Sequence, residues 1–208
     1  MDENATHALK GQGERQRRKE MLNQPHIKPL IQYLDAVRQA MGPECELPCF
    51  DPCDGGVDAR VLFLLEAPGR KAVGSGFISR NNPDSSAKTM NELLSEAGIH
   101  RHKTLLWNIV PWYVGNGKQI RPVNQRDKRR AMPFLADLFH LLPRLRAVVL
   151  VGRPAQSARG EIQKLVDLPI YECWHPSPLA LNGRPHRRSE MLAVFRQVAH
   201  EIEIQGSP

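Results

Sequence analysis

Four short apolar runs, separated by stretches of helix-like periodicity, constrain this chain more than any other feature. They are Val61–Leu65 (VLFLL), 105–110 (LLWNIV), Ala147–Val151 (AVVLV) and 169–174 (PIYECW). Runs this short, built from branched and aromatic residues, read as strands buried on both faces. Helical patterns lie between them, at 86–97, 125–142 and 155–166, and a last one covers 188–203. Strands alternating with helices require crossover connections, which are right-handed and pair the strands in parallel. The expected fold class is α/β: a three-layer α/β/α arrangement around a central, mostly parallel, four-stranded sheet.

Ahead of the first strand the pattern is weaker. Residues 1–13 are polar and expected to be loose, and 14–208 are expected to form a single domain. The segment ERQRRKEML (14–22) reads as a short basic helix, punctuated by Pro25 and Pro29. Leu30, Ile31, Leu34, Val37 and Met41 form a helical stripe that stops at Gly42-Pro43. Residues 43–58, rich in Pro, Gly, Asp and Cys, read as a long ordered loop. There is no internal repeat and no low-complexity tract.

Hydrophobic residues make up 41% and charged residues 25%, an ordinary globular balance. The formal net charge of +7 and pI near 9.5 favour polyanionic partners without naming one. No apolar run approaches the roughly 18 residues of a membrane span. The polar start has no signal-peptide core, so the expectation is a cytoplasmic monomer with no membrane partner. In that compartment Cys45, Cys49, Cys53 and Cys173 are expected as free thiols. The first three, spaced C-x3-C-x3-C across Pro48 and Pro52, follow none of the usual ligand spacings, so no metal and no cofactor is expected.

In a parallel sheet, ligands bind beyond the carboxyl ends of the strands. Glu66-Ala67-Pro68-Gly69-Arg70 follows the first strand, and Asn108 ends the second ahead of Pro111-Trp112-Tyr113. Gly152-Arg153-Pro154 follows the third, and His175-Pro176-Ser177-Pro178-Leu179 the fourth. Polar groups and rigid turns therefore converge on one edge, where an active site is expected.

These turns resemble the uracil-DNA glycosylase superfamily over about residues 50–195. The motifs that carry the likeness are LEAPGR (65–70), Gly76-Phe77, LLWN (105–108) and HPSPL (175–179), in order and each at a strand end. They are nearer the branches with an EAPG-type first motif than the GQDPY-type branch. The resemblance implies a monofunctional enzyme that flips uracil from DNA and hydrolyses its glycosidic bond, in base excision repair. Two departures stand out. The best-known branch has a water-orienting Asp where this chain has Ala67. Another branch holds an iron–sulfur cluster on four cysteines placed elsewhere, so the cluster is not carried over.

Under this reading each residue has a task and a plainer structural alternative. His175 would donate to the developing O2 oxyanion of the leaving uracil; otherwise it caps a turn. Asn108 would read N3–H and O4 of the base; otherwise it bonds neighbouring backbone. Phe77 would stack on the flipped base; otherwise it plugs the core. Ala67 and Gly69 would line the uracil pocket. Glu66 would polarise water or line the pocket, or act as a supporting hydrogen-bonding residue. Asp84 and Asn82 are alternative water-binding groups, in a segment that also reads as a solvated turn. Leu179, with Leu181 as second candidate, would be the wedge that fills the gap left by the base. Arg184, His186, Arg187 and Arg188 would meet phosphates, and Arg126, Lys128, Arg129 and Arg130 form a similar run. No lysine stands out as a Schiff-base nucleophile, so strand cleavage is not expected. Two other readings stay open: an inactive DNA- or base-binding module, kept alive by Ala67, and a glycosylase with a different main substrate such as hypoxanthine or a mismatched base.

Overall fold

The computed structural model describes residues 5–116 and 119–204. In chain order the first elements are α1 (Gln12–Glu20), α2 (Lys28–Met41), β1 (Cys49–Phe50), β2 (Val61–Leu65), α3 (Arg70–Ser75), β3 (Phe77–Ile78) and α4 (Ser85–Glu96). They are followed by β4 (Thr104–Asn108), α5 (Gln125–His140), β5 (Ala147–Val151), α6 (Arg153–Gln156), α7 (Arg159–Ile162), β6 (Ile170–Cys173), α8 (Pro178–Leu181) and α9 (Pro185–Ile204).

The four long apolar runs form one parallel sheet in the order β4-β2-β5-β6. β5 is buried over its whole length, as expected of a strand covered on both faces. On one face Phe63 meets Phe195 of α9 edge to face, with ring centroids 5.2 Å apart. On the other, Trp107 stacks on Phe50 at 3.7 Å, and Tyr33 of α2 tilts against Phe50. α4 packs with α9, and α2 with α5, giving the expected three-layer α/β/α architecture. Each fully buried aliphatic or aromatic side chain of this core contributes roughly 1.5–3 kcal/mol of transfer free energy. Among the described residues no helix is long and apolar enough to cross a membrane.

The structure departs from the sequence reading in three places. The 43–58 segment is not all loop: β1 pairs in parallel with β3, Cys49 opposite Phe77 and Phe50 opposite Ile78. A two-residue strand is too short to show a period. The helical pattern at 155–166 breaks into α6 and α7. At the break the Ser157 hydroxyl bonds Pro154 O, and Ala158 leaves helical geometry at φ −97°, ψ 4°. The third departure is at the N-terminus. Residues 1–4 of the segment expected to be loose lie outside the described residues, but from Ala5 onward it is tied down. Leu9 is 1% exposed, its N–H donates to Asn81 O at 3.2 Å, and Asn81 Nδ2 donates to Ala5 O at 2.8 Å.

Behind this contact lies a buried ionic network. Arg18 of α1 is fully enclosed and bonds Glu14, Asp51, Ser79 and Asn81. Arg101 bonds Asp51 and Asp54, while Arg80 lies beside Asp54 and bonds Thr104. Three arginines thus face three carboxylates, a balance that makes enclosure of so many charges tolerable. The two flanking arginines hold the Asp51 carboxyl below its usual range despite its burial. The network fastens α1 to the loop that runs from Ser79 to Asn82, one wall of the cavity described next.

Candidate active site

The carboxyl ends of the sheet strands open onto a cavity of about 430 Å³. Its walls include Glu66, Ala67, Gly69, Asn82, Asp84, Asn108 and His175, brought together from four separate stretches of sequence. The volume lies within the range of small-molecule pockets.

Asn108 is the last residue of β4, in register with Leu65 of β2. The ladder continues past both strands: Ile109 N–H donates to Leu65 O at 2.8 Å, and Val110 N–H to Glu66 O at 3.0 Å. Asn108 and Glu66 are therefore held by backbone pairing. Asn108 is 3% exposed, and among the described residues its side-chain Nδ2 has no hydrogen-bond partner. A buried amide donor left open carries a desolvation cost of about 1–3 kcal/mol. A ligand acceptor in the cavity would remove that cost.

Glu66 accepts from Val123 N–H at 2.9 Å through Oε1, bracing the segment ahead of α5 across the cavity. That segment carries Ile120 and Arg121, which also line the cavity; no motif in the sequence marks them. Asp84 caps α4, accepting from Ala87 N–H at 2.9 Å through Oδ1. Beside it, Asn82 donates through Nδ2 to Phe77 O at 2.9 Å, which leaves Oδ1 buried and without a partner.

His175 lies two residues beyond β6, half-buried. Desolvation lowers its pKa below the ordinary histidine value, outweighing the opposing pull of Glu66 and Asp84. The imidazole is therefore neutral near pH 7. Ser177 N–H donates to His175 Nδ1 at 3.2 Å, which places the single ring proton on Nε2. The result is a neutral N–H donor on the cavity wall. Gly152, just after β5, makes this placement possible. Its φ is +83°, and a Cβ added there would meet His175 Cβ at 3.0 Å. The sequence marked Gly152 only as a turn.

Phe77 needs correction as a stacking residue. Its ring is 1% exposed and does not line the cavity with Asn108 and His175. It lines a separate recess with Leu22, Leu47 and Cys49, because pairing of β3 with β1 turns it that way. Ile78, one position on, lines the cavity with Asn108 and His175 instead.

Leu179 is 89% exposed on α8, and Ile120 is 47% exposed; these are the two exposed large hydrophobic side chains among the described residues. The arginines expected to meet phosphates are already engaged. Arg187 Nη1 donates to Ala180 O at 2.8 Å, and its guanidinium stacks 3.9 Å from the Trp174 ring centroid. Arg184 reaches Leu179 O at 3.4 Å, and Arg188 pairs with Glu96. Arg184 and Arg187 thus brace the turn that presents Leu179. Of the similar run in α5, Arg130 lies 6.0 Å from the Trp112 ring centroid and Lys128 bonds Ser157. Arg70, the last residue of the LEAPGR motif but given no role there, and Lys71 after it stand on the cavity wall.

Cys45, Cys49, Cys53 and Cys173 are free thiols. Among the described residues no three His, Cys, Asp or Glu side chains converge as a metal site.

The family model of the uracil DNA glycosylase superfamily matches residues 52–199. A solution NMR structure from Methanosarcina acetivorans, described as that of a candidate uracil DNA glycosylase, is similar at 17% identity with a TM-score of 0.48. That match covers 69% of this chain and 92% of the other. No curated protein matches the chain. Since the family model spans well over half of the sequence, including every strand that opens onto the cavity, the chain belongs to the uracil DNA glycosylase superfamily.

Proposed function

We propose that the protein is a monofunctional uracil-DNA glycosylase that removes uracil from DNA by hydrolysis and leaves an abasic site. The observation that carries this reading is the buried, unpartnered Nδ2 of Asn108 in the same cavity as a neutral, Nε2-protonated His175. One amide can donate to uracil O4 and accept from N3–H. The imidazole N–H can stabilise charge arriving on O2 as the glycosidic bond breaks.

The base must first leave the stack, because its bond to the sugar is unreachable inside the duplex. The water that attacks the sugar needs an acceptor. Glu66 has one oxygen committed to Val123, and Asp84 has one committed to its helix cap. Among the described residues Asn82 Oδ1 has no partner, and we assign it to orient the water, with the second carboxylate oxygen of Asp84 taking the proton as the new C–O bond forms. In this scheme Ala67 lines the pocket and needs no carboxylate.

The test is a base-release panel with uracil, hypoxanthine, thymine and cytosine in single and double strands. Uracil release, leaving an unbroken strand with an abasic site, is the expected result. Faster release of another base, or none, would overturn it. Borohydride trapping checks the monofunctional part. Lys71 lines the cavity, so a covalent protein–DNA adduct would make the enzyme bifunctional.

Leu179 is assigned the wedge. Leu179→Ala should lower uracil release from duplex about ten-fold or more and from single strands far less, since only the duplex has a stack to open at a few kcal/mol. The ratio of the two rates is the readout. Equal losses would show that Leu179 acts through packing, a role its exposure already argues against.

A further inference from the structure

We propose that the groove between α1 and α3 is a track for the sugar–phosphate backbone of the DNA strand that flanks the flipped nucleotide. The proposal rests on the glycosylase reading and adds an interaction surface to it.

The groove is built from helical spacing. Gln12, Arg15, Gln16 and Lys19 recur at i, i+3, i+4 and i+7, so they share one face of α1 and line a recess of about 390 Å³ against Gly74 and Ser75 of α3. A second recess of about 580 Å³ continues it, lined by Lys10, Arg15, Arg70 and Lys71. Arg15, Gly74 and Ser75 belong to both recesses. Arg70 and Lys71 also line the catalytic cavity, so the three spaces form one path leading into it.

Charge and chemistry on this path point to a polyanion. Among the described residues, five cations line the two recesses and no Asp or Glu does. A groove lined by one sign of charge focuses its field and draws in the opposite sign. The basic residues of α1 divide by face. Arg17 pairs with Glu14, and Arg18 is enclosed with Glu14 and Asp51, whereas Arg15 and Lys19 face the groove. Arg15 also donates to Gly74 O at 3.2 Å, linking the two helices across the groove floor. The buried Arg18 makes α1 a fixed wall. No aromatic ring lines either recess, so bases have nothing to stack on there. What remains is recognition of phosphates, without regard to sequence and sensitive to salt.

The test uses a fluorescent single-stranded oligonucleotide without uracil, so it reads binding independently of turnover. Lys10→Ser combined with Lys19→Ser should weaken binding and flatten the plot of log affinity against log salt by about 0.7 for each phosphate no longer neutralised. Gly74→Glu places a carboxylate in the groove. An added Cβ there meets no atom within 4 Å, so the fold tolerates it. It should weaken binding about ten-fold or more through charge repulsion along the phosphate path. Gly74→Ala should bind like the wild type. Wild-type affinity and salt slope in both charge variants would overturn the proposal, as would an equal loss in Gly74→Ala. Absence of uracil release by the wild-type protein would overturn the glycosylase reading through a different measurement.

Discussion

His175→Ala should lower the rate of uracil release by about 10²–10³-fold, the usual cost of removing one donor to a developing oxyanion. Its fold should persist, since the residue is only half-buried and, among the described residues, its ring hydrogen-bonds the Ser177 N–H. The measurement is single-turnover base release, with thermal unfolding of the variant recorded alongside. A variant within three-fold of wild type would remove His175 from the chemistry.

The pH profile gives an independent readout. Burial lowers the folded pKa of His175 below its ordinary value of 6.5, so folding disfavours the imidazolium. The sign follows from proton binding. Between the lowered folded pKa and 6.5 the unfolded chain holds more protons, so the contribution of this residue to stability is present above 6.5 and is lost as pH falls through the folded pKa. Under the proposed mechanism activity follows the same group. Protonation places a hydrogen on Nδ1, which expels the Ser177 N–H and disturbs the turn that carries the ring. Wild-type activity should therefore hold through neutral pH and fall only below the ordinary histidine range. The His175→Ala variant should lack that acid limb; its persistence in the variant would assign the limb to another group.

Asn108→Asp should lower the ratio of uracil to cytosine release by on the order of 10³-fold or more, because a buried site built for one hydrogen-bonding edge rejects the other strongly. In the proposed recognition the amide oxygen accepts from uracil N3–H while the NH2 donates to O4. Cytosine presents an acceptor at N3 and a donor at N4, so both ends of the amide are opposed. The carboxylate of the variant faces O4 with lone pairs and repels it. It can accept from cytosine N4–H and, when protonated, donate to N3. Most uracil activity should be lost and weak cytosine release gained. The unpartnered Nδ2 argues against a purely bracing role, since a bracing amide would have its donor engaged. A folded variant with an unchanged rate ratio would show that Asn108 does not read the base.

The strands were legible because their constraint is local. VLFLL and AVVLV are fully apolar over five residues, and the structure assigns strands to those same five in each case. The candidate cavity followed from topology: in a parallel sheet the turns after the strands share one edge, so Glu66, Asn108 and His175 could be grouped before any distance was known. Phe77 shows where that logic stops. It sits beside a recognised motif, but a two-residue pairing with β1, some thirty positions earlier in sequence, decides which way its ring points. Arg184, Arg187 and Arg188 read as cations placed to meet phosphates. What the sequence does not show is that their guanidinium groups meet carbonyls, an indole and a carboxylate supplied by the folded chain.

By itself the sequence determined the four sheet strands and the long helices that follow them, the parallel sheet, the edge that carries the cavity and the identity of His175, Asn108 and Leu179 as residues to watch. These depend on periodicity and on chain connectivity, which are properties of neighbours in sequence. Tertiary structure alone decided four things. It set the neutral state and proton position of His175, which depend on burial and on Ser177. It left Asn108 Nδ2 and Asn82 Oδ1 without partners. It excluded Phe77 from the cavity. Finally, it gathered Lys10, Arg15, Lys19, Arg70 and Lys71 on one groove, through the enclosure of Arg18. Each is a matter of which groups meet after the chain has crossed the sheet, and pairings over such sequence separations leave no local pattern to read.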